Sequence, residues 1–173
     1  LLFPISSKYN CWRELAGAFF CVEGDTQAVE VFVPLLRGLG LQVQTISPES
    51  KAQYHLSCAL ASNFVCALVQ RSAELLGGCG FSETDALHAL APLMRSNLAH
   101  VIEHGAVSAL TGPIERGDTQ TVQKHLSCLT ERDDRQLYAL LGLEQVKMAQ
   151  EKHPEQDYGT LAALLNREKE QNE

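Results

Sequence analysis

The feature that most constrains the fold of this chain is a change of pattern at Ser47-Pro48. Before it, short apolar segments alternate with turn signals. After it, from about Glu49 to the end, apolar residues recur at helical spacing and no strand pattern follows. The sequence therefore predicts a small α/β segment followed by a larger all-helical one. Its 173 residues suffice for one sizeable core, or for one core and part of a second.

Residues 1–47 have the pattern of a βαβ unit from a parallel sheet. Ala18–Val22 is a continuous apolar run, typical of a strand buried on both faces. It ends at a Glu-Gly-Asp turn, where Asp25 or Thr26 can cap the helix that follows. Leu41–Ile46 then alternates apolar and polar residues, as an edge strand does.

A sheet of this size needs more strands than this chain supplies. With the apolar run Leu1–Ile5, the pattern gives three strands and one helix, too few to cover both faces of a parallel sheet. We therefore expect the end of a larger sheet, whose other strands precede Leu1. Neither GxGxxG nor GxxxxGK[ST] occurs, so the phosphate loop of any dinucleotide site is expected outside the chain.

Residues 48–173 are predicted to be helical throughout. The first helix is expected over about residues 48–76, and its middle, Leu56–Val69, is apolar all round, which is typical of a helix buried on most sides. Four further helices of modest length offer too little apolar surface to cover it. We therefore expect the rest of its apolar surface to be buried against a second copy of the chain, giving a homodimer. The same stretch falls short of the roughly 18–20 apolar residues of a membrane span.

Composition excludes several classes of protein. The formal net charge of −7 argues against nucleic-acid and anionic-membrane binding, which select basic patches. The six cysteines have neither CxxC nor zinc-site spacing and no signal peptide is visible, so we expect a cytoplasmic protein with free, buried thiols. No Ser/His/Asp arrangement, nucleophile elbow or HExxH motif occurs, which leaves a hydrolase or a metal site unsupported.

Two polar residues on the first long helix are candidates for chemistry. Asn63 lies inside the apolar stretch, where its amide must find partners. His55 lies two helical turns earlier, on roughly the same face, and can donate or accept a proton. One hypothesis is that both face a cleft. The alternative is structural: an asparagine bonded to a neighbouring helix and a histidine at a helix start.

The loop Leu110–Asp118 (LTGPIERGD) is the second candidate. Its two glycines and one proline require an unusual backbone path. Thr111, Arg116 and Asp118 supply three kinds of polar group, and Arg116 could hold an anionic group through two hydrogen bonds. We expect this loop to close one side of the cleft. The alternative is a tight connection between helices, with Asp118 as the cap of the next one.

Four segments occur in an order that resembles a known family: LFPISS at residues 2–7, VEGD at 22–25, YHL followed by ASNF between 54 and 64, and the loop at 110–118. The chain resembles Rossmann-like oxidoreductase-type proteins with the C-terminal domain of unknown function 2520. These are similar to pyrroline-5-carboxylate reductase, ketopantoate reductase and 6-phosphogluconate dehydrogenase. In them, an NAD(P)-binding Rossmann domain precedes an all-helical domain that dimerises.

The resemblance implies a fold class, a cofactor and a set of site residues. Residues 1–47 would be the end of a Rossmann-like α/β domain, and residues 48–173 an all-α dimerisation domain like the C-terminal domain of 6-phosphogluconate dehydrogenase. NADP or NAD would bind largely outside this chain, beside a small carbonyl or imine substrate. His55 and Asn63 would orient or protonate that substrate. The implied binding residues are Ser62, Thr111, Gly112, Arg116 and Asp118.

Two departures from the family pattern leave the function open. Related dehydrogenases carry a lysine four residues before the asparagine, where this chain has Ala59. The segment Phe3–Ser7 lacks the glutamine usual near the start of the family pattern. One hypothesis is an NAD(P)-dependent oxidoreductase, favoured by His55 and Asn63. The other is a non-catalytic dimerisation or binding module, favoured by the absent lysine.

Overall fold

The computed structural model describes residues 18–170, which are mostly helical with a small two-stranded parallel sheet. The chain divides into two compact units, one extending to Leu87 and the other beginning at His88. The predicted strand at residues 1–5 lies outside the described residues. In chain order the elements are β1 Phe19–Val22, α1 Thr26–Gly38, β2 Gln42–Thr45, α2 Lys51–Ala61, α3 Asn63–Gly77, α4 Glu83–His104, α5 Ala106–Ala109, α6 Thr119–Cys128, α7 Arg132–Lys152 and α8 Gly159–Glu170.

The βαβ pattern is confirmed. β1 and β2 pair in parallel, with Phe19 opposite Gln42, and α1 connects them. The Asp25 carboxylate accepts hydrogen bonds from the backbone N–H groups of the second and third helical residues, at 2.9 and 3.3 Å, which caps α1 as predicted. Val33 of α1 and Val43 of β2 are buried, so one side of the helix packs on the sheet.

The prediction of one continuous helix over residues 48–76 is wrong. Pro48–Ser50 forms a 3₁₀ turn, and the helix that follows is interrupted at Ser62, whose φ of −126° and ψ of −68° are not helical. The Ser62 hydroxyl lies 2.7 Å from the carbonyl oxygen of Cys58, four residues earlier. A serine that bonds to this carbonyl competes with the backbone ladder. Asn63 begins a helix of its own, α3.

The prediction that this helix is buried within the chain is also wrong. Large apolar side chains along α2 and α3 are 39 to 55% exposed, namely Leu56, Leu60, Phe64, Val65 and Leu68. In the described part of the first unit, α1 packs on β2, so few other residues remain to cover α2 and α3.

The thiols of Cys66 and Cys128, expected to be buried, are exposed as well. By length and composition alone, Pro48–Gly77 could cross a membrane, which is weak evidence for a span.

The second unit has a closed core built by α6, α7 and α8. Val122, Leu161 and Leu165 are its largest fully buried side chains. α7 and α8 pack closely at Gly142, where a Cβ atom would lie 3.1 Å from both terminal methyl carbons of Leu165 and 3.3 Å from Cδ1 of Ile114. A larger residue there would force α8 and the 110–118 loop outward.

One ion pair ties these three helices together. Arg135 of α7 donates from Nε to a carboxylate oxygen of Glu168 on α8 at 2.8 Å, and its Nη2 lies 2.7 Å from the same oxygen. Its Nη1 donates to the carbonyl of Leu126 at 2.8 Å, near the end of α6. The Glu168 side chain is only 10% exposed, so this guanidinium compensates a carboxylate that has lost most of its hydration.

Candidate functional site

In the first unit, α2 begins beside the carboxyl end of β1. Lys51 of α2 forms an ion pair with Glu23, the residue that follows β1. Burial raises the pKa of Tyr54, with smaller contributions from the thiols of Cys21 on β1 and Cys58 on α2 beside its ring. These contacts hold the first turns of α2 against the sheet. His55, the next residue, is exposed.

The second predicted catalytic residue, Asn63, lies at the first position of α3 and is exposed. The eight-residue spacing from His55 therefore does not run along one helix, because Ser62 interrupts it. Ser62 Oγ lies 2.8 Å from Asn63 Oδ1, so the hydroxyl and the amide form a local polar pair. The structure thus brings Ser62 and Asn63 together at a helix break.

The candidate loop belongs to the second unit, and the expectation that it closes a cleft at His55 and Asn63 stays a prediction. Gly112 has a φ of +110° and Gly117 a φ of +71°, a region that favours glycine, which confirms the unusual backbone path. Asp118 caps α6: its carboxylate accepts from the backbone N–H of Thr121 at 3.0 Å and from its hydroxyl at 2.6 Å. Both bonds lower the pKa of Asp118. Arg116 is exposed and forms no ion pair within the described residues.

Thr111 lines a cavity of about 330 Å³ inside the second unit. Asn97 of α4 and Gln145 of α7 border the same space, together with Val101 and Met148. Within residues 18–170 the side chains of Thr111, Asn97 and Gln145 form no hydrogen bonds with other groups, so all three are available to a ligand. Sequence reasoning missed Asn97 and Gln145, since an isolated amide on a helix carries no motif.

A family model described as "Domain of unknown function (DUF2520)" matches residues 18–145, which is most of the chain. The chain belongs to the DUF2520 family. No curated protein and no solved structure matches it. The match covers all seven predicted site residues and every residue that lines the Thr111 cavity except Met148, whereas α8 lies beyond it. Membership in DUF2520 assigns no reaction.

In this DUF2520 domain, the 110–118 loop is fastened to the end of α7 by Glu115. Its Oε1 lies 2.7 Å from Nε2 of His153 and 3.4 Å from Nζ of Lys152. Lys152 also donates to the carbonyls of Ser108 and Leu110, at 3.2 and 2.8 Å. The hydrogen bond from His153, followed by that from Lys152, lowers the pKa of Glu115. No motif indicates this cluster, because Glu115 lies almost 40 residues before Lys152 and His153.

Replacing Glu115 with glutamine should make stability less sensitive to acid. The folded-state pKa of Glu115 lies below its unfolded value, so its contribution is complete above about pH 4.5 and is lost as the pH falls through the folded pKa. We expect Glu115→Gln to cost about 1 kcal/mol at pH 7, and progressively less below pH 4.5. Urea unfolding between pH 7 and 3.5 measures this. Glu144→Gln, in an exposed pair with Lys147, is the control, and parallel pH profiles for wild type and Glu115→Gln would contradict the assignment.

Proposed function

We propose that this DUF2520 domain is the C-terminal part of an NAD(P)-dependent oxidoreductase acting on a small carbonyl or imine compound. The observation that carries the proposal is the start of α2 at the carboxyl end of parallel strand β1, held by Lys51, Glu23 and Tyr54. Ligands of open parallel sheets bind outside the carboxyl ends of the strands. His55 follows Tyr54 directly and is therefore assigned as the proton donor to the substrate.

The cofactor would be held largely by residues other than those described. The sequence has no phosphate-cradling glycine motif. Val31, Phe32 and Leu35 of α1 are 58 to 59% exposed and form an apolar face, and Leu39, the residue that follows the helix, is 76% exposed. Such a face on the crossover helix of a βαβ unit supports a larger α/β layer that covers it. When bound, the nicotinamide would supply the hydride, and this chain would supply the proton.

The Thr111 cavity supports small-molecule binding by the second unit on its own. Its volume of about 330 Å³ is at the lower end of the range for ligand pockets. Two amides and one hydroxyl border it, and none of these side chains has a hydrogen-bond partner within residues 18–170. Amide and hydroxyl donors suit the oxygen of a carbonyl compound or the nitrogen of an imine.

We also propose that the protein is a homodimer and that α2 and α3 form its interface. Their large exposed apolar side chains recur at roughly helical spacing from Leu56 to Leu68, and such a face is costly to leave in water. A second copy covers such a face at the size typical of obligate dimers, above roughly 2,000 Å². Ser62 and Asn63 lie between these apolar side chains, and polar groups are costly in the interior of a membrane. A second copy of the chain is therefore a better partner for this face than lipid.

The alternative is a non-catalytic dimerisation or binding module, and one observation favours it. Related dehydrogenases place a lysine one helical turn before the asparagine, but this chain has Ala59 on α2 and Asn63 at the start of α3. Because Ser62 interrupts the helix, positions 59 and 63 are not one turn apart on a single helix, and Ala59 has no amine. This module would retain the dimer and bind no nucleotide.

Titration of the full-length protein with NADPH and NADH separates the two proposals. The oxidoreductase should bind one of them saturably at micromolar concentration, and the module should bind neither. In the enzyme, we expect His55→Ala to lower turnover of a small imine or ketone by about 100-fold or more, with unchanged thermal unfolding. His88→Ala, an exposed histidine on α4, is the matched control. Unchanged turnover in His55→Ala would remove the assignment of His55.

A further inference from the structure

The second unit contains another cavity, of about 250 Å³, that no motif and no family description assigns. Pro113, Ile114 and Leu141 form apolar walls. His125 of α6 and Tyr138 of α7 border it, as does Gln145, which also borders the Thr111 cavity. This volume exceeds the roughly 150 Å³ of an apolar cavity that binds benzene, so a small aliphatic molecule can fit.

The polar part of this cavity is a preformed histidine–tyrosine pair. Nδ1 of His125 lies 2.9 Å from the Tyr138 hydroxyl, and the two rings meet edge to face with their centroids 5.9 Å apart. Burial raises the pKa of Tyr138, so the phenol keeps its proton at neutral pH. With a neutral imidazole the pair holds two protons. One lies in the bond between the residues, and the other, on Nε2 or on the phenol oxygen, is free to donate.

Gln145 offers a second donor to the same space. Its side chain is half-buried and forms no hydrogen bond within residues 18–170. Its amide is therefore free to donate to a ligand that enters the cavity. The histidine–tyrosine pair and the amide of Gln145 supply two donors beside apolar walls, which match a group with two acceptor oxygens joined to a hydrocarbon body.

We propose that this cavity binds a small branched aliphatic carboxylate. One carboxylate oxygen accepts from the His125–Tyr138 pair and the other from the amide of Gln145. The hydrocarbon body packs against Pro113, Ile114 and Leu141. This assignment does not depend on the oxidoreductase proposal, because it requires neither a nucleotide nor the first unit.

Isovalerate is the probe, titrated into isotope-labelled full-length protein and followed by NMR at the His125 ring and the Ile114 methyl groups. We expect saturable shifts at millimolar concentration. Isoamyl alcohol has the same hydrocarbon body without the second oxygen and should bind at least about fivefold more weakly. Tyr138→Phe and Gln145→Leu should each weaken isovalerate binding by a similar factor. Leu140→Ala, a neighbouring exposed position that does not line the cavity, should leave it unchanged.

Three results would overturn the proposal. The first is the absence of saturable shifts. The second is equal affinity for the alcohol and the acid, which would show an apolar cavity without carboxylate recognition. The third is unchanged binding in both Tyr138→Phe and Gln145→Leu. Thermal unfolding checks that each variant is folded, and if Tyr138→Phe is not, the half-buried Gln145→Leu variant decides.

Discussion

Arg135→Ala is expected to lower the free energy of unfolding by about 3 to 5 kcal/mol. The substitution leaves the Glu168 carboxylate, 10% exposed, without its cationic partner. It also removes the donor to the Leu126 carbonyl at the end of α6. The cost is large because an uncompensated buried charge is penalised more than the pair itself is favourable. Denaturant unfolding followed by circular dichroism measures the change.

Two further variants test the cause. Lys147→Ala breaks an ion pair on the same helix whose side chains are 71 and 64% exposed, and it should leave stability unchanged. Combining Arg135→Ala with Glu168→Leu removes both charges and should recover part of the loss. If the double variant is as unstable as the sum of the two single variants, the lost stability comes from packing and the charge argument is wrong.

Phe64→Asp and Leu68→Asp are expected to raise the dissociation constant of the proposed homodimer by about 100-fold or more each. Both side chains belong to the exposed apolar face of α3, at 54 and 39% exposure. A carboxylate placed in a desolvated interface loses hydration without gaining a partner. Light scattering over a range of concentrations should show dimers for the wild type and monomers for the variants.

The control places the same charge elsewhere on this helix pair. Gln53 of α2 is polar and exposed, so Gln53→Asp should leave the dimer intact. A wild-type protein that is monomeric at micromolar concentration would refute the dimer. Partition of that monomer into lipid vesicles would instead favour the membrane as the occupant of this face.

Local signals were sufficient to predict the elements that depend on neighbouring residues. The turn before Asp25 located the start of α1, and the alternation in Leu41–Ile46 located β2. Ser82 caps α4 through the same kind of local contact: its hydroxyl accepts from the backbone N–H of Asp85 at 3.2 Å and lies 2.7 Å from the carboxylate of that residue. Asp118 caps α6 for the same physical reason: a short polar side chain beside unpaired backbone N–H groups.

Features that depend on distant residues were not predictable in this way. Apolar periodicity cannot show whether a helix is covered by its own chain or by another, so the exposure of α2 and α3 was missed. The break at Ser62 lies within a continuous apolar pattern that contains neither proline nor glycine, so no local signal indicated it. The amides at the Thr111 cavity come from α4 and α7, which only the fold brings together.

The hydrogen bonds from Lys152 to the backbone connect the wall of the Thr111 cavity to the end of α7. One ammonium group joins the carbonyls of Ser108 and Leu110 to the last turn of α7, and Tyr158 donates to the carbonyl of Glu115 just before α8 begins. The wall of the cavity is therefore hydrogen-bonded to the junction between these two helices. Displacing Thr111 would strain these hydrogen bonds.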